Sequence, residues 1–367
     1  MKKKKEANTE IAGLSKEERA KIFATMKTTL KKQLGDGIIA DQQNLRIESI
    51  STGSPLLDSV ITGDGYAKGR FIELSGENSC GKSTTATIML AEAQKAYPDE
   101  MVGYIDVEHA INIKYAEKLG LDLSPDRFIL VQPNSAEEAF TALDAFVSSG
   151  LFSAVCFDSV GALVTEDQLA KGFDENTIGS LGRLMGKSIS RINIAAASSN
   201  TAVIWINQIR TKITLFGSGE TVAGGRAFPF FHSTRIKIKR TDIIKQNDKP
   251  IGQTVKYEIV KNKVGTPFGI VETAIYFGQG YDEYTEIVEL AYTLGIIVGG
   301  AWCYVDRNTE NEMRWNGKNA CLAWFRENPE KFQEFKIRVL TQNKGLVVID
   351  EAALDEDGDE VVTEGDG

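Results

Sequence analysis

Short apolar runs alternate with stretches of helical periodicity through the middle of the chain. Five segments rich in apolar residues follow one another, namely "RFIEL", "VGYIDV", "RFILVQ", "AVCFDSV" and "AVIWIN". Strands that are buried on both faces have this composition, and they belong to parallel sheets covered by helices. The pattern therefore predicts an α/β fold with a mostly parallel central sheet.

A different pattern precedes this region. Residues 16–35 place Phe23, Met26, Leu30 and Leu34 on one helical stripe, which predicts an amphipathic helix that ends at glycine. The segment that follows offers this helix no partner of its own. The helix either folds back on the protein's core or docks on another subunit.

The pattern changes again after residue 232. The segments "STRIKIKR", "TVKYEIVKNK" and "VETAIYF" alternate apolar and polar residues, which predicts antiparallel strands added to the parallel core. From residue 284 a short segment rich in helix formers and tryptophan is typical of a small α+β domain. We therefore divide the chain into an amino-terminal part (1–46), a core (47–283), a small domain (284–345) and an acidic disordered tail (346–367).

Composition sets few limits on function. With 42% hydrophobic and 25% charged residues, the chain resembles an ordinary soluble globular protein. Its four cysteines form no C-x-x-C pair, which is atypical of a structural zinc site and favours the reducing cytoplasm. No apolar run is long enough to cross a bilayer, so we expect no membrane partner.

Acidic residues are concentrated at the carboxyl terminus. Residues 350–367 carry nine acidic residues and no basic one, which accounts for the whole formal net charge of −9. Bulk charge therefore does not exclude a nucleic-acid partner. The tail is either a disordered solubilising segment or a flap that mimics DNA and competes for a basic groove.

The stretch "LSGENSCGKSTT" matches the phosphate-loop pattern G-x-x-x-x-G-K-[ST] between a predicted strand and a predicted helix. Glycines allow backbone N–H groups to surround phosphate oxygens, lysine reaches the β and γ phosphates, and the serine hydroxyl binds Mg²⁺. The predicted nucleotide-binding residues of this loop are Gly76, Glu77, Asn78, Ser79, Cys80, Gly81, Lys82, Ser83 and Thr84.

Phosphoryl transfer also needs an acid for the metal and a base for water. Asp158 ends a buried run where the carboxyl edge of a sheet would meet the nucleotide, although an aspartate there can also cap the next turn. Asp106 and Glu108 end another run, and we expect Glu108, nearer the exit, to be the general base. His109 beside it is more typical of a structural residue.

A further strand ends in Asn207 and Gln208, and the pattern predicts that a long loop begins at once. An amide at a strand edge can sense a γ-phosphate, and a glycine-rich loop with cations and an aromatic can bind single-stranded nucleic acid. A lid over an active site would have similar composition. The predicted DNA-binding residues of this loop are Arg210, Lys212, Phe216, Gly224, Gly225 and Arg226.

Taken together, these motifs resemble the RecA family of homologous-recombination proteins. The resemblance covers about residues 20–335 and rests on several segments in the family's order. These are "SISTGSPLLD", "GENSCGKST", "YIDVEHAINIKYAEKLG", "FDSVGALV", "INQIRTKI", "GETVAGGRAFPFF", "KNKVGTPF" and "NPEKF".

The resemblance implies a RecA-like ATPase core that binds ATP and Mg²⁺. It implies that Glu108 is the catalytic glutamate, that Ser83 and Asp158 organise the metal, and that Gln208 senses the γ-phosphate. It also implies that Tyr115 stacks on adenine. Asn112, where the family often has an acid, leaves adenine selectivity open.

The resemblance assigns further residues to DNA and to the subunit interface. A first DNA loop corresponds to residues 170–181 with Lys171, and Arg183 lies just beyond it. The second loop spans about 209–224 with Phe216 as its wedge. Lys261 and Lys263 resemble the lysines that reach the neighbouring subunit's γ-phosphate, and the amino-terminal helix resembles the family's polymerisation helix.

These expectations describe a DNA-dependent ATPase that forms a helical homo-filament on single-stranded DNA and pairs it with homologous duplex DNA. Loading or mediator proteins are among the partners to be expected. A ring-forming motor ATPase and a non-enzymatic, nucleotide-gated DNA scaffold are the alternatives. Discrete hexamers would favour the motor, and output that survives Glu108→Gln would favour the scaffold.

Overall fold

The computed structural model describes residues 14–35, 47–170, 179–214, 217–225 and 228–353, and it describes the backbone alone at 210–214, 217–222 and 345–353. The chain divides into two compact units, Met1–Ile47 and Glu48–Gly367. In the first unit, helix α1 covers Lys16–Leu34. Its capping box joins Ser15 and Glu18, and it ends at Gly35 as predicted.

The second unit contains short strands before the central sheet, the sheet itself, and a small sheet near the carboxyl end. The strands are β1 (Ser49–Ile50), β2 (Tyr66–Ala67), β3 (Phe71–Gly76), β4 (Met101–Asp106), β5 (Phe128–Val131), β6 (Phe152–Asp158), β7 (Ala202–Thr214), β8 (Gly217–Val222), β9 (Thr234–Gln246), β10 (Lys249–Asn262), β11 (Ile270–Tyr276), β12 (Gly280–Tyr281), β13 (Ile297–Gly299), β14 (Cys303–Val305) and β15 (Met313–Trp315).

Helices connect these strands. They are α2 (Pro55–Ile61), α3 (Lys82–Ala96), α4 (Ile113–Lys118), α5 (Ala136–Ser149), α6 (Glu166–Ala170), α7 (Ser180–Ser199), α8 (Phe228–Phe231), α9 (Glu283–Thr293), α10 (Lys318–Glu327) and α11 (Pro329–Ala353). Within the described residues, none of the helices is apolar over a stretch long enough to cross a membrane.

The central sheet has the strand order β12–β11–β10–β9–β3–β7–β6–β4–β5, with β8 paired to β7. Strands β3 to β7 pair in parallel, so the predicted parallel core is confirmed. Apolar side chains on both faces of the sheet pack against helices, with α3 on one face and α5 and α7 on the other. Strand β5 lies at the edge and is only partly buried.

The antiparallel extension is also confirmed, with one refinement. Strand β9 pairs in parallel with β3, and antiparallel pairing begins between β9 and β10. The part of β9 that pairs with β3 begins with Thr234 beside Ile72 and ends with Ile238 beside Gly76. The carboxyl end of β10 therefore returns to the amino end of the parallel strands.

The prediction that a strand ends at Asn207 and Gln208 is wrong. Strand β7 leaves the parallel sheet at Gln208, its last residue paired with β3, but it continues to Thr214 as one arm of a hairpin with β8. This extension is held by backbone pairing with β8. Its pairing partner lies later in the chain, so the hydrophobic pattern did not reveal it.

The carboxyl-terminal segment combines α9 to α11 with the antiparallel sheet β13–β14–β15, and whether it is a separate domain stays a prediction. Its apolar cluster includes Leu56 of α2. Helix α11 continues to Ala353 and so includes the first eight residues predicted to belong to the disordered tail, where Leu, Glu and Ala favour helix. Residues 354–367 lie outside the described residues.

The fit between β4 and α5 provides a stability test. A Cβ at Gly103 would lie 2.9 Å from the Phe146 ring, so Gly103→Ala should lower the free energy of unfolding by about 1–3 kcal/mol through overpacking. A Cβ at Gly186, on the exposed face of α7, meets no atom within 4 Å. Gly186→Ala should therefore raise stability by about 0.5–1 kcal/mol, because helix propensity improves.

Chemical denaturation of the two variants beside the parent protein measures both effects. Equal stability of the two variants would contradict the close packing of β4 on α5.

Candidate active site

The loop between β3 and α3 has the backbone that a phosphate cradle needs. Gly76 ends β3 where a Cβ would lie 2.3 Å from the carbonyl oxygen of Ile238, so only glycine fits. Gly81 has φ +101° and Ser79 has φ +57°, which turns the chain sharply before α3 begins at Lys82. The amino terminus of α3 thus faces the loop, where its dipole favours an anion.

Lys82 lies inside this loop. Its ammonium donates to the carbonyl oxygens of Glu77 at 2.7 Å and of Gly76 at 3.1 Å, and its side chain is buried. The cation is therefore held at the mouth of the cradle. An anion bound by the loop would meet a positive charge that is already in place.

Cys80 packs beneath the loop and is 2% exposed. Burial raises the pKa of its thiol, and this effect outweighs the opposing influence of Lys82. Thiolate is the reactive form of cysteine. The thiol of Cys80 is therefore expected to be inert to oxidation in the folded protein.

A carboxylate from β6, which is separated from β3 by β7 in the sheet, approaches the same loop. Asp158 ends β6, and its Oδ2 accepts hydrogen bonds from Ser83 Oγ at 2.8 Å and from Tyr104 OH at 2.7 Å. Burial raises the pKa of the Asp158 carboxyl, while these two hydrogen bonds oppose the shift. Sequence reasoning missed Tyr104, because a tyrosine inside an apolar strand has the pattern of a core residue.

The hydroxyl of Ser83 and the carboxylate of Asp158 fit a Mg²⁺ site by the chemistry of their oxygen donors. Hard divalent cations prefer such oxygens beside phosphate. The hydrogen bond between the two side chains shows that they lie within reach of one ion.

Glu108 lies beyond the end of β4, in an exposed turn. Its Oε1 accepts hydrogen bonds from Ser159 Oγ at 2.5 Å and from Gln208 Nε2 at 2.9 Å. Glu108, which follows β4, and Gln208, on β7, were singled out separately in the sequence and lie side by side in the fold. The sequence predicted that Gln208 lies near a phosphate, but it did not predict the hydrogen bond between Gln208 and Glu108. Nothing in the sequence indicated that Ser159 also bonds to Glu108.

Asp106, the other carboxylate of this turn, has a different role. It is 1% exposed and accepts hydrogen bonds from the backbone of Ala110 and Ile111 and from Gln132 Nε2. These bonds hold the turn after β4 and leave the carboxylate inside the fold. The geometry thus favours Glu108 over Asp106 as the residue available to a water molecule.

Neighbouring residues of the turn also have structural roles. His109 has φ +53°, and its Nε2 lies 3.2 Å from the carbonyl oxygen of Pro133. Asn112 caps α4, accepting a hydrogen bond from the backbone N–H of Tyr115 at 3.0 Å. Tyr115 is half-buried, so part of its ring remains available for stacking.

The predicted DNA residues are only partly described. Gly224 and Gly225 have φ +105° and +77°, and a Cβ at Gly224 would overlap the ring of Phe228. Arg183 is exposed in α7. The structure describes the backbone alone at two predicted positions, Arg210 and Lys212, and three lie outside the described residues, Lys171, Phe216 and Arg226.

Lys261 and Lys263 lie far from the phosphate loop of their own chain. In the register of the sheet, Lys261 pairs with Arg235, and Arg235 pairs with Glu73. Glu73 precedes Gly76 by three residues of β3, which is about 10 Å at the usual rise per residue of a strand. The Lys261 ammonium donates to the carbonyl oxygens of Pro229 and Phe230 at 2.8 and 3.3 Å. The structure therefore places the two lysines toward the amino ends of the parallel strands, away from the phosphate loop at the carboxyl ends.

Comparison with known proteins agrees with this geometry. Residues 21–282 match the RecA N-terminal domain. The chain is 37% identical to "Protein RecA" of Mannheimia haemolytica over 333 residues, covering 89% of this chain and 88% of that protein. It is 34% identical to "Protein RecA" of Ruminococcus albus, covering 94% and 86%, and 35% identical to that of Chelativorans sp., covering 93% and 94%. With its phosphate loop, its Asp158 and its Glu108–Gln208 pair on one sheet edge, the chain belongs to the RecA family.

Proposed function

We propose that the protein is a DNA-dependent ATPase that forms filaments on single-stranded DNA and catalyses homologous pairing and strand exchange in recombination and repair. Membership of the RecA family supports this function. The observation that carries it is the hydrogen bond from Gln208 to Glu108. That bond joins the hydrolytic centre to the strand that continues into the predicted DNA loop.

The residues of one subunit divide the chemistry of ATP hydrolysis among them. Lys82 binds phosphate oxygens, and Ser83 with Asp158 would hold Mg²⁺, which neutralises phosphate charge when bound. Glu108 accepts the proton of the attacking water. Both hydrogen bonds that hold Glu108 use Oε1, so Oε2 is the oxygen assigned to the water.

Gln208 links this centre to DNA. It is the last residue of β7 paired with β3, and the hairpin of β7 and β8 begins immediately after it. A change in the hairpin therefore acts directly on the amide that holds Glu108. We assign DNA binding to this hairpin and to residues 170–181, with contacts mainly to phosphate, because base pairing rather than side-chain contact tests the sequence.

Assembly would complete the catalytic site. Lys261 and Lys263 lie toward the amino ends of the parallel strands, whereas the phosphate loop lies at the carboxyl ends. Neither lysine therefore serves the phosphate of its own subunit. In a head-to-tail filament they would face the neighbour's nucleotide and stabilise transferring phosphoryl charge. Helix α1, whose Ile22, Phe23, Met26 and Leu34 are exposed, is the element we assign to docking on the adjacent copy.

The proposed function predicts coupling between DNA binding and ATP hydrolysis. Long single-stranded DNA should raise the steady-state rate of ATP hydrolysis by about 100-fold, because assembly supplies two preorganised cations. Lys82→Ala should abolish the rate with and without DNA. Equal rates of the parent protein with and without DNA would contradict the proposal and favour a motor or a lidded enzyme.

A paired assay separates recombinase from scaffold and motor. Glu108→Gln should assemble on DNA with ATP, seen by electron microscopy as continuous filaments, yet fail to turn over during strand exchange. Discrete hexamers would favour the motor, and unimpaired output of Glu108→Gln would favour the scaffold.

A further prediction concerns Tyr104, the hydrogen-bond donor to Asp158. Its hydroxyl stabilises the ionised form of Asp158, so Tyr104→Phe should raise the pKa of that carboxyl further. The acidic limb of the rate profile should therefore move to higher pH, since metal binding needs the ionised form. The Mg²⁺ concentration for half-maximal rate should increase about tenfold, as for loss of other outer-shell partners.

Steady-state hydrolysis across pH and Mg²⁺ concentration measures both effects. Tyr66→Phe is the control, because Tyr66 is equally buried but donates to the backbone carbonyl of Met89 at 2.8 Å. A shift of similar size in the control would mean that the Tyr104 result reflects packing alone.

A further inference from the structure

The turn that follows β10 is held by Asn262, which ends that strand and lies between the two interface lysines. The side chain of Asn262 uses both ends of its amide. Nδ2 donates to the carbonyl oxygens of Ile61 at 2.7 Å and Thr266 at 3.3 Å. Oδ1 lies 3.2 Å from the backbone nitrogen of Val264 and 3.4 Å from Thr234 Oγ1 and accepts from both.

The strongest of these bonds joins the turn to another element of the core. Ile61 is the last residue of α2, where carbonyl groups lack a partner within the helix. Its side chain is 2% exposed, so the anchor is part of the core. A Cβ at Gly265 would lie 2.1 Å from the same carbonyl oxygen, which shows how closely the turn is applied to α2.

The side chains of the two lysines, one on each side of Asn262 in the chain, reach a common target. Lys261 donates to the carbonyl oxygens of Pro229 and Phe230, and Lys263 donates to that of Phe230 at 3.4 Å. Burial, together with the charges of Lys263 and Arg235, lowers the pKa of the Lys261 ammonium. Two cations are thus kept near each other although they repel.

A lysine side chain has four rotatable bonds, so its backbone decides where its ammonium can reach. We propose that Asn262 is a positioning residue of the shared ATPase site, which holds Lys261 and Lys263 at the place from which they meet the neighbouring subunit's phosphate. This inference rests on the proposed function and adds a third residue to the part of the site that the neighbour supplies.

The first test compares Asn262→Ala with a matched control in the full-length protein. Asn328 Nδ2 also donates to the carbonyl oxygen of a residue in the last turn of a helix, Trp324, at 2.8 Å, but it lies in the carboxyl-terminal segment. Asn262→Ala should lower kcat of DNA-stimulated hydrolysis by about 10- to 100-fold, the usual cost of misplacing a catalytic group by about 1 Å. KM for ATP should change less than about twofold, because the residues that bind ATP belong to the other edge.

Asn328→Ala should leave both constants near those of the parent. Thermal denaturation should show both variants folded at the assay temperature. Asn262→Ala should be the less stable of the two, since it loses four hydrogen bonds where Asn328→Ala loses the bond to Trp324. A kcat of Asn262→Ala equal to that of the control would overturn the proposal.

The second test asks on which side of the interface Asn262 acts. Glu108→Gln inactivates the part of the site that belongs to the nucleotide-binding subunit, and Lys261→Ala/Lys263→Ala inactivates the part supplied by its neighbour. In an equimolar mixture of the two, random assembly leaves about one interface in four with both parts intact. Hydrolysis on single-stranded DNA should therefore recover to about a quarter of the parent rate.

Asn262→Ala should recover in the same way when mixed with Glu108→Gln, and should not recover when mixed with Lys261→Ala/Lys263→Ala. The reverse pattern would mean that Asn262 acts within its own nucleotide site, which overturns the proposal. Failure of the reference mixture to recover would overturn the shared site and the role of Asn262 with it. A parent protein that DNA does not stimulate would instead refute the proposed function.

Discussion

A single buried carboxylate joins the strands on which the active site depends. Glu73, in the middle of β3, is 0% exposed. It accepts a hydrogen bond from Asn207 Nδ2 at 3.0 Å on one neighbouring strand and forms an ion pair with Arg235 on the other. Removing Arg235 would leave the charge of Glu73 uncompensated inside the protein, and removing Asn207 would take away a buried hydrogen bond. The phosphate-loop strand is therefore held to one neighbour by an ion pair and to the other by a side-chain hydrogen bond, as well as by the backbone ladder.

The same carboxylate lies between the functional regions of the subunit. Asn207 also donates to the carbonyl oxygen of Ala223, where the hairpin of β7 and β8 returns to the core. Arg235 is paired with Lys261 in the register of β9 and β10. Contacts therefore run from the predicted DNA hairpin, through Glu73, to the strand that carries Lys261. Rearrangement of the hairpin has a direct structural route to both edges of the sheet.

The two edges have complementary chemistry, which explains why a filament suits this fold. The carboxyl edge of the parallel strands collects Lys82, Asp158, Glu108 and Gln208, because parallel strands all end on the same side. Strand β10 runs antiparallel and returns Lys261 and Lys263 to the amino edge. One subunit cannot bring its two edges together, and in the proposed filament the stacking of identical subunits would join them.

Much of this architecture was predictable from local signals. Runs of apolar residues located β3 to β7, and the spacing of Gly76, Gly81 and Lys82 located the phosphate loop, since the loop's chemistry depends on residues adjacent in the chain. The path of β7 beyond Gln208 was not predictable, because its partner β8 stabilises it through backbone bonds that leave no hydrophobic period. The helical start of the acidic tail was missed because charge suggested disorder where helix propensity acted.

The sequence by itself determined the class of fold, the phosphate loop and the set of polar residues at strand ends, because these follow from periodicity and short-range spacing. Only the tertiary structure decided how those residues are paired. The partners in each of these hydrogen bonds lie 51 to 201 positions apart in the chain. The bonds are those of Tyr104 to Asp158, of Ser159 and Gln208 to Glu108, and of Asn262 to Ile61. Contacts over such separations depend on strand order and register, which the folded sheet sets and no local pattern records.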